Sequence, residues 1–425
     1  MKKTKFAGCK MLLPDRRVAE GDLIVEGGRI AAIVEGGSSE PFDGETVDMR
    51  GKLALPGLVN AHGHTPMTLV RGLGGGLPLQ RWLEEAIFPV EAKMTPDDIA
   101  AGMTWGALEM LAGGTVCVAD MYDFPAAGGT ALEAIGLKAN ICRVGLSFVP
   151  GRLDDCIAFT RGWNAAGHRR TVADLCIHSE YLTDEKFCRS LADANRELKR
   201  PLNVHVSETK REHDECLARH GKTPIAYLAD TGLLDCGAYA AHCVWCTDDD
   251  FRIMRERGVT LVHDPSSNMK LGSGFARIPE AIAAGVNVAL GTDGCASNDN
   301  LDMFEEMHLA SLVHKGTHRD PTVLGAWEVI EMATVNGARA LGRPDGGVIA
   351  VGKAADLCFA RLDAPHLQPA LDIPNLVVHS MHASDVVMTV VAGEILYDRG
   401  EFPTADVERA RFDLARSVRR LGLAG

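Results

Sequence analysis

The segment "LPGLVNAHGHTP" carries two histidines, His62 and His64, two residues apart. On a strand that spacing turns both imidazoles to one face. Further along, His178, His205 with Glu208, His242 and Asp293 each follow or end a short apolar, β-rich run: "VADLCIHSE", "LNVHVSE", "AYAAHCVW" and "VNVALGTDG". Any one buried histidine is ordinarily a hydrogen-bonded core residue, and an Asp before Gly294 suits a turn. Fifteen histidines scattered at random would not so often land at strand ends. Together they point to a metal site. Three imidazoles and a carboxylate (His62, His64, His205 and Asp293) suit a single divalent cation, zinc first, with iron or manganese as alternatives. A cation so held lowers the pKa of a bound water towards neutrality. Hydrolysis then needs a proton carrier: Glu208 is placed for it, with His242 beside the water and Asp293 assisting.

Such a convergence requires strands whose C-terminal ends meet. Between about 53 and 342 the chain alternates β-rich and helical segments, and eight of the former can be counted, from "LALPGLVNAHGH" to "VNVALGTDG". They are apolar on both faces, as strands covered by helices are. The helices are punctuated: Thr95 precedes Pro96, Asp97 and Asp98, and the run closes on Gly113-Gly114; Thr247 precedes three aspartates, and that run stops at Gly258. The pattern predicts an α/β chain with a (β/α)8 TIM barrel over 56–344, its site at the C-terminal ends of the strands. Residues 1–55 and 345–425 read as short strands and turns, with hairpins around Gly27-Gly28, Gly352 and Gly393 and a strand pair around Gly51. They are expected to form one small discontinuous β-sandwich domain. A last helix within 405–422 shows an apolar stripe of Val407, Phe412, Leu414 and Val418.

Composition narrows the partners. A net charge of −13 disfavours nucleic-acid polymers and anionic membranes. No stretch approaches the roughly 18 apolar residues of a membrane span, and no apolar run follows the basic "MKKTK", so a cytoplasmic protein is expected. Twelve cysteines without a framework read as reduced thiols. Cys243 and Cys246 form one C-x-x-C, too few ligands for a structural zinc.

The motifs "NAHGHTPMTLVRG", "VHVSET", "AHCVW", "HDPSSNMKLGSG", "GTDGCASN" and "GGVIAVGKAADL", in this order, resemble the amidohydrolase superfamily over nearly the whole chain, and within it the 5-methylthioadenosine/S-adenosylhomocysteine deaminases. The resemblance implies zinc-dependent deamination at C6 of an adenine nucleoside (methylthioadenosine, S-adenosylhomocysteine, adenosine or 5′-deoxyadenosine), giving the inosyl product and ammonia. It implies Glu91 as a ribose ligand, His178 as a substrate-binding histidine, and Arg143 and Arg152 at the 5′ substituent or its carboxylate. Ser297 is expected to face the substrate. Two-metal relatives use a bridging lysine at strand four, and "VADLCIHSE" has none, so one metal per subunit is expected. A homo-oligomer is expected too.

Two departures stand out. Asp264 replaces the Asn of "HNPxSN", and Gly74 to Gly76 replace family acids in a loop near the 5′ group. Other zinc deaminases carry H-x-E and P-C-x-x-C, but alanine and histidine precede Cys243 here, and that reading leaves His62, His64, His205 and Asp293 unused. The remaining alternatives are another amino-heterocycle (guanine, a pterin or cytosine), a chlorinated triazine, or a barrel kept as a non-catalytic scaffold.

Overall fold

The computed structural model describes residues 3–423. Eight parallel strands surround the centre of the molecule: β1 (Leu58–His64), β2 (Thr115–Tyr122), β3 (Lys138–Arg143), β4 (Thr171–Cys176), β5 (Leu202–Val206), β6 (Ala238–His242), β7 (Val259–His263) and β8 (Asn287–Leu290). Neighbours in sequence are neighbours in the sheet. After Leu290 the chain of β8 runs on to the two-residue strand Asp293–Gly294, which pairs in parallel with Gly63 and His64 of β1. The Thr292 amide also donates to the His62 carbonyl, 3.2 Å away. These contacts close the barrel, as the alternating texture of the sequence predicts.

Almost every barrel-strand residue is buried, because helices cover the outside and side chains fill the inside. The helix Pro96–Ala112 opens on Thr95, as expected, and the Asp98 carboxylate accepts from the Thr95 amide and hydroxyl. The helix Asp248–Arg257 opens likewise on Thr247 and Asp250 and ends at Gly258, whose φ of 64° is left-handed.

The terminal segments share one eight-stranded mixed sheet. Its core gathers Phe6, Met11, Leu23, Ile30 and Met49 from one end of the chain and Leu357, Phe359 and Met388 from the other. Gly27 and Gly28 both take positive φ and close the hairpin between Val18–Glu26 and Arg29–Glu35. The segments around Gly51 do not pair with each other. Glu45–Asp48 and Lys52–Pro56 both lie parallel to the long strand Lys3–Leu12, one after the other along its edge. Ten residues of first strand leave room for both, so the turn at Gly51 joins two tandem strands rather than a hairpin.

The C-terminal helix, Val407–Arg420, docks on the barrel and not on that sheet. Leu414, Val418 and Leu421 pack with Ile99 and Met103, and Arg420 pairs with Asp98. Phe412 departs from the expected stripe and is exposed; two residues before Leu414, it sits about 200° round the helix from it. No helix among the described residues is long and apolar enough to cross a membrane.

Candidate metal centre and substrate cavity

His62 and His64 leave β1 on one face, their ring centroids 4.9 Å apart. His205 ends β5 on the facing side, and Asp293 arrives from the continuation of β8. One ligand atom from each of the four lies within 4.8 Å of the others. The donor set fits a cation on three observations. His64 Nδ1 lies 2.6 Å from the Met121 carbonyl and His205 Nδ1 lies 2.9 Å from the His178 carbonyl, so both Nδ1–H groups are engaged. That leaves two Nε2 lone pairs facing each other at 3.2 Å. Both ring nitrogens of His62 are buried with no hydrogen-bond partner. Buried polar atoms are normally satisfied, and lone pairs do not converge unless a cation is shared between them.

Asp293 is held from behind. Its Oδ1 lies 3.5 Å from His62 Nε2 and 3.2 Å from His64 Nε2. Its Oδ2 accepts from Ser267 Oγ at 2.6 Å and from Ser297 Oγ at 2.7 Å. The backbone at Asp293 is left-handed, with φ of 59°. Gly291, two residues earlier, is the crowded glycine of the site: a Cβ there would collide with Asp264 Oδ1 and approach His62 Cβ to 2.9 Å. Gly63, between the two histidines, is under no such pressure; its nearest neighbour would be 3.5 Å away.

Glu208 and His242 stand beside this cluster. The Glu208 carboxylate accepts from Ser273 Oγ at 3.2 Å and lies 3.9 Å from His242 Nε2. Burial pushes its pKa up, Asp293 adds to the rise, and His242 opposes it. Its backbone amide and that of Ser207 donate to Glu212, each at 2.8 Å. His242 Nδ1 lies 2.9 Å from Asn268 Oδ1, which leaves Nε2 towards Glu208. Asp264, the departure from the family motif, accepts the His242 amide at 3.2 Å, and burial pushes its pKa up to about 8.

A cavity of about 430 Å³ opens on this end of the barrel. His64, Glu91, His178, His205, Glu208, His242, Asp293 and Ser297 line it. His178 Nδ1 lies 3.1 Å from Ser179 Oγ, and burial and the neighbouring imidazoles lower its pKa to about 3, so the ring is neutral. Glu91 is carried in by the helical segment that follows the glycine loop and accepts from the Tyr122 hydroxyl at 2.5 Å. Gly74 of that loop is not slack: a Cβ there would approach Trp82 Cδ1 to 2.9 Å, and Trp82 Nε1 donates to the Leu73 carbonyl. The structure does not bring Arg143 and Arg152 to the cavity lining; both donate to Asp123 Oδ1, each at 2.8 Å. Sequence reasoning missed Tyr122, Ser267, Asn268 and Ser273. The last three lie in "HDPSSNMKLGSG", which it used as a motif without assigning any residue a role.

Residues 53–396 match the model of the amidohydrolase family. The 5-methylthioadenosine/S-adenosylhomocysteine deaminase of Acetivibrio thermocellus is 41% identical over 379 residues, 88% of either chain. The 5′-deoxyadenosine deaminase of Methanosarcina mazei is 40% identical over 385 residues, 89% of this chain and 88% of that one. Among solved structures, an adenosine deaminase from Xanthomonas campestris with bound zinc superimposes with a TM-score of 0.94 at 30% identity, covering 100% of this chain and 99% of that one. An atrazine chlorohydrolase from Arthrobacter aurescens superimposes with a TM-score of 0.90 at 25% identity, covering 98% and 100%. With a family match across most of its length and relatives at 40% and 41% identity, this chain belongs to the amidohydrolase family.

Proposed function

We propose that the protein is a metal-dependent hydrolytic deaminase of an adenosine derivative, in which water replaces the C6 amino group and ammonia leaves. One observation carries the reading: three residues of a His–His–His–Asp cluster, His64, His205 and Asp293, share one cavity wall with a buried glutamate–histidine pair, in a chain about equally similar to two kinds of adenosine-derivative deaminase. His62, His64, His205 and Asp293 would hold one divalent ion. Zinc is the proposed ion, on the donor set and on the zinc-bearing Xanthomonas relative. When bound, the ion supplies water acidified to near-neutral pKa.

The chain's own residues do the rest. Glu208, with its pKa raised by burial, takes a proton from the attacking water and delivers it to the purine side, where the amino group needs protons to leave as ammonia. His242, fixed by Asn268 through Nδ1, presents Nε2 to the oxygen that adds to C6 and holds its orientation. Asp293 shares in accepting the water proton. His178, a neutral ring on the lining, hydrogen-bonds the purine edge, and Glu91, oriented by Tyr122, accepts from the ribose hydroxyls.

Ammonia release from adenosine, 5′-deoxyadenosine, 5′-methylthioadenosine and S-adenosylhomocysteine, beside guanine, cytosine, a pterin and atrazine, tests the reading. Turnover of at least one adenosine derivative is expected to exceed all the others. If every adenosine derivative stays intact while another heterocycle reacts, the substrate assignment falls.

A further inference from the structure

Glu208 is held at its backbone and at its carboxylate, and one residue outside the cavity reaches both. The peptide that joins Ser207 to Glu208 is gripped on two sides. Its N–H donates to Glu212 at 2.8 Å, and its carbonyl accepts the Trp245 amide at 3.0 Å. The carboxylate accepts from Ser273 Oγ at 3.2 Å. Ser273 lies in the turn after the helix Pro265–Lys270, and its carbonyl accepts from the Trp245 indole Nε1 at 3.0 Å. Trp245, in the turn after β6, therefore meets Glu208 by two routes: directly at the backbone, and at the carboxylate through Ser273. The second turn packs closely on the first. Gly274 has φ of 124°, and a Cβ there would come to 3.0 Å from Val244 Cγ1 and 3.8 Å from Trp245 Cζ2. The Ser273 amide is tied to the Asn268 carbonyl at 2.9 Å, so the indole is the second of two tethers on this residue. Asn268, which serves His242, is fixed separately within its helix by its amide on the Asp264 carbonyl at 3.0 Å. Trp245 is 37% exposed, with Lys210 Nζ 5.7 Å from its ring centroid, and it does not line the cavity. It acts on a bound substrate only through other residues.

We infer that Trp245 is a positioning residue for the proton carrier: its indole N–H fixes the turn that bears Ser273, and the Ser273 hydroxyl fixes which way the Glu208 carboxylate faces. This rests on the role proposed above for Glu208. The hydroxyl occupies Oε1, and Oε2 is left as the oxygen 3.9 Å from His242 Nε2, on the side of the cavity. The last torsion of a glutamate is broad, so without that bond the carboxylate turns freely about it. A proton carrier works only within hydrogen-bond reach of the atoms it serves. Misplacement by about 1 Å is enough to cost up to ~10²-fold in rate. The Trp245 amide cannot supply this control, because it fixes the backbone and leaves the side-chain torsions open.

The test measures ammonia release by the metal-loaded enzyme from whichever of adenosine, 5′-deoxyadenosine, 5′-methylthioadenosine and S-adenosylhomocysteine the parent turns over fastest. Metal content and thermal unfolding are followed beside it. Trp245→Phe keeps a ring and the backbone amide and removes the indole donor. Ser273→Ala removes the hydroxyl and keeps the turn. Each is expected to lower kcat by about tenfold, with KM within about twofold and the metal retained. The double variant should match the single ones, because both break one chain of contacts. In a Glu208→Gln background no proton carrier remains to be aimed, so each should cost less than about twofold. Parent-like kcat in Trp245→Phe would overturn the proposal. So would losses that multiply in the double variant, or a loss from Trp245→Phe that persists in full on the Glu208→Gln background, since that would be a general loosening of this end of the barrel. Should Trp245→Phe not fold, 3-benzothienylalanine at position 245, which carries sulfur in place of the indole N–H, repeats the measurement with the ring shape kept. A Glu208→Gln variant as fast as the parent would overturn the proton-carrier role and this proposal with it. Absence of ammonia from all four nucleosides in the parent would remove the substrate class, and is read before any variant is made.

Discussion

Glu208→Gln separates the proton-transfer role from every structural one. The side chain is 11% exposed and makes one hydrogen bond, from Ser273 Oγ to its Oε1 at 3.2 Å. A glutamine keeps that acceptor and nearly the same volume. The backbone around residue 208 is fixed independently, by the Glu212 carboxylate on the Ser207 and Glu208 amides. Stability should therefore change by no more than about 1 kcal/mol, and in the favourable direction, because a carboxylate that burial makes costly to ionise is gone. The metal should stay, since Glu208 is not one of the four clustered ligands. What is lost is a proton acceptor facing the cavity. Positioned acid–base groups are worth about 10²- to 10⁴-fold in rate, or about 3 to 5 kcal/mol of barrier.

Ammonia release gives kcat, elemental analysis gives metal content, and thermal unfolding gives stability. The pH profile adds a signature. A base must be ionised to act, and the Glu208 pKa lies above the ordinary carboxylate value of 4.5, so kcat/KM should fall as pH drops through that raised value. The acidic limb attributable to Glu208 should vanish in the glutamine variant. A variant that keeps its metal and its fold and still turns over within about threefold of the parent, far short of the ~10²-fold minimum for acid–base loss, would refute the reasoning.

Three further expectations follow from the same geometry. Ser267→Ala with Ser297→Ala should weaken metal binding by about 10- to 100-fold, read by chelator competition, because Asp293 Oδ2 loses both donors; unchanged affinity in the double variant would show that Asp293 needs no support. Stripping the ion with a chelator should abolish turnover and lower the melting temperature. Binding at 1,000 times Kd stabilises by about 4 kcal/mol, and a melting curve that does not move would count against the four-residue site. Asp98→Asn should loosen the C-terminal helix. Burial pushes the Asp98 pKa up, but Arg420, Thr95 and Ser417 outweigh it and hold the carboxyl below its ordinary 3.8. A lowered folded-state pKa stabilises above the unfolded value and is lost as pH falls through the folded one, so docking in the parent should weaken below about pH 4. The variant should lose about 1 to 3 kcal/mol at neutral pH and that acid sensitivity with it, measured by hydrogen exchange of Val407–Arg420.

The parts of this molecule legible in the sequence are those governed by short periods. His62 and His64 share a face because strands have a period of two, and their strand is recognisable by its apolar run. The end of each such run marks the end of the barrel where chemistry collects, which is why His205, His242 and Asp293 could be picked out one by one. Caps such as Thr95 and Thr247 are equally local. What stayed hidden depends on contacts between distant segments. Nothing in "MYDFP" shows that Asp123 meets arginines 20 and 29 residues later. Ser267, Asn268 and Ser273 are three of several polar residues in the short helix Pro265–Lys270 and the turn after it, and only the closed barrel assigns one to Asp293, one to His242 and one to Glu208. The tandem strands on either side of Gly51 were misjudged for a similar reason: their partner is a strand more than thirty residues earlier.

The left-handed residues tie these two classes together. Ser207, His242, Cys243 and Asp293 all have φ between 47° and 71°, and none is glycine. Each such residue costs of order 1 kcal/mol, and all four stand at the ends of β5, β6 and the β8 continuation, next to or within the proposed catalytic set. A strand that simply continued would send consecutive side chains to opposite faces. A left-handed residue breaks the alternation, which lets β5 deliver both His205 and Glu208 to one cavity and lets Asp293 reach His62 and His64 just after β8 ends. The surrounding bonds supply the restoring force: Glu212 on the Ser207 and Glu208 amides, Asp264 on the His242 amide, Ser267 and Ser297 on the Asp293 carboxylate. Of these four supports, sequence reading singles out Asp264 and Ser297 and passes over Glu212 and Ser267. The ligands it did find owe their geometry to them.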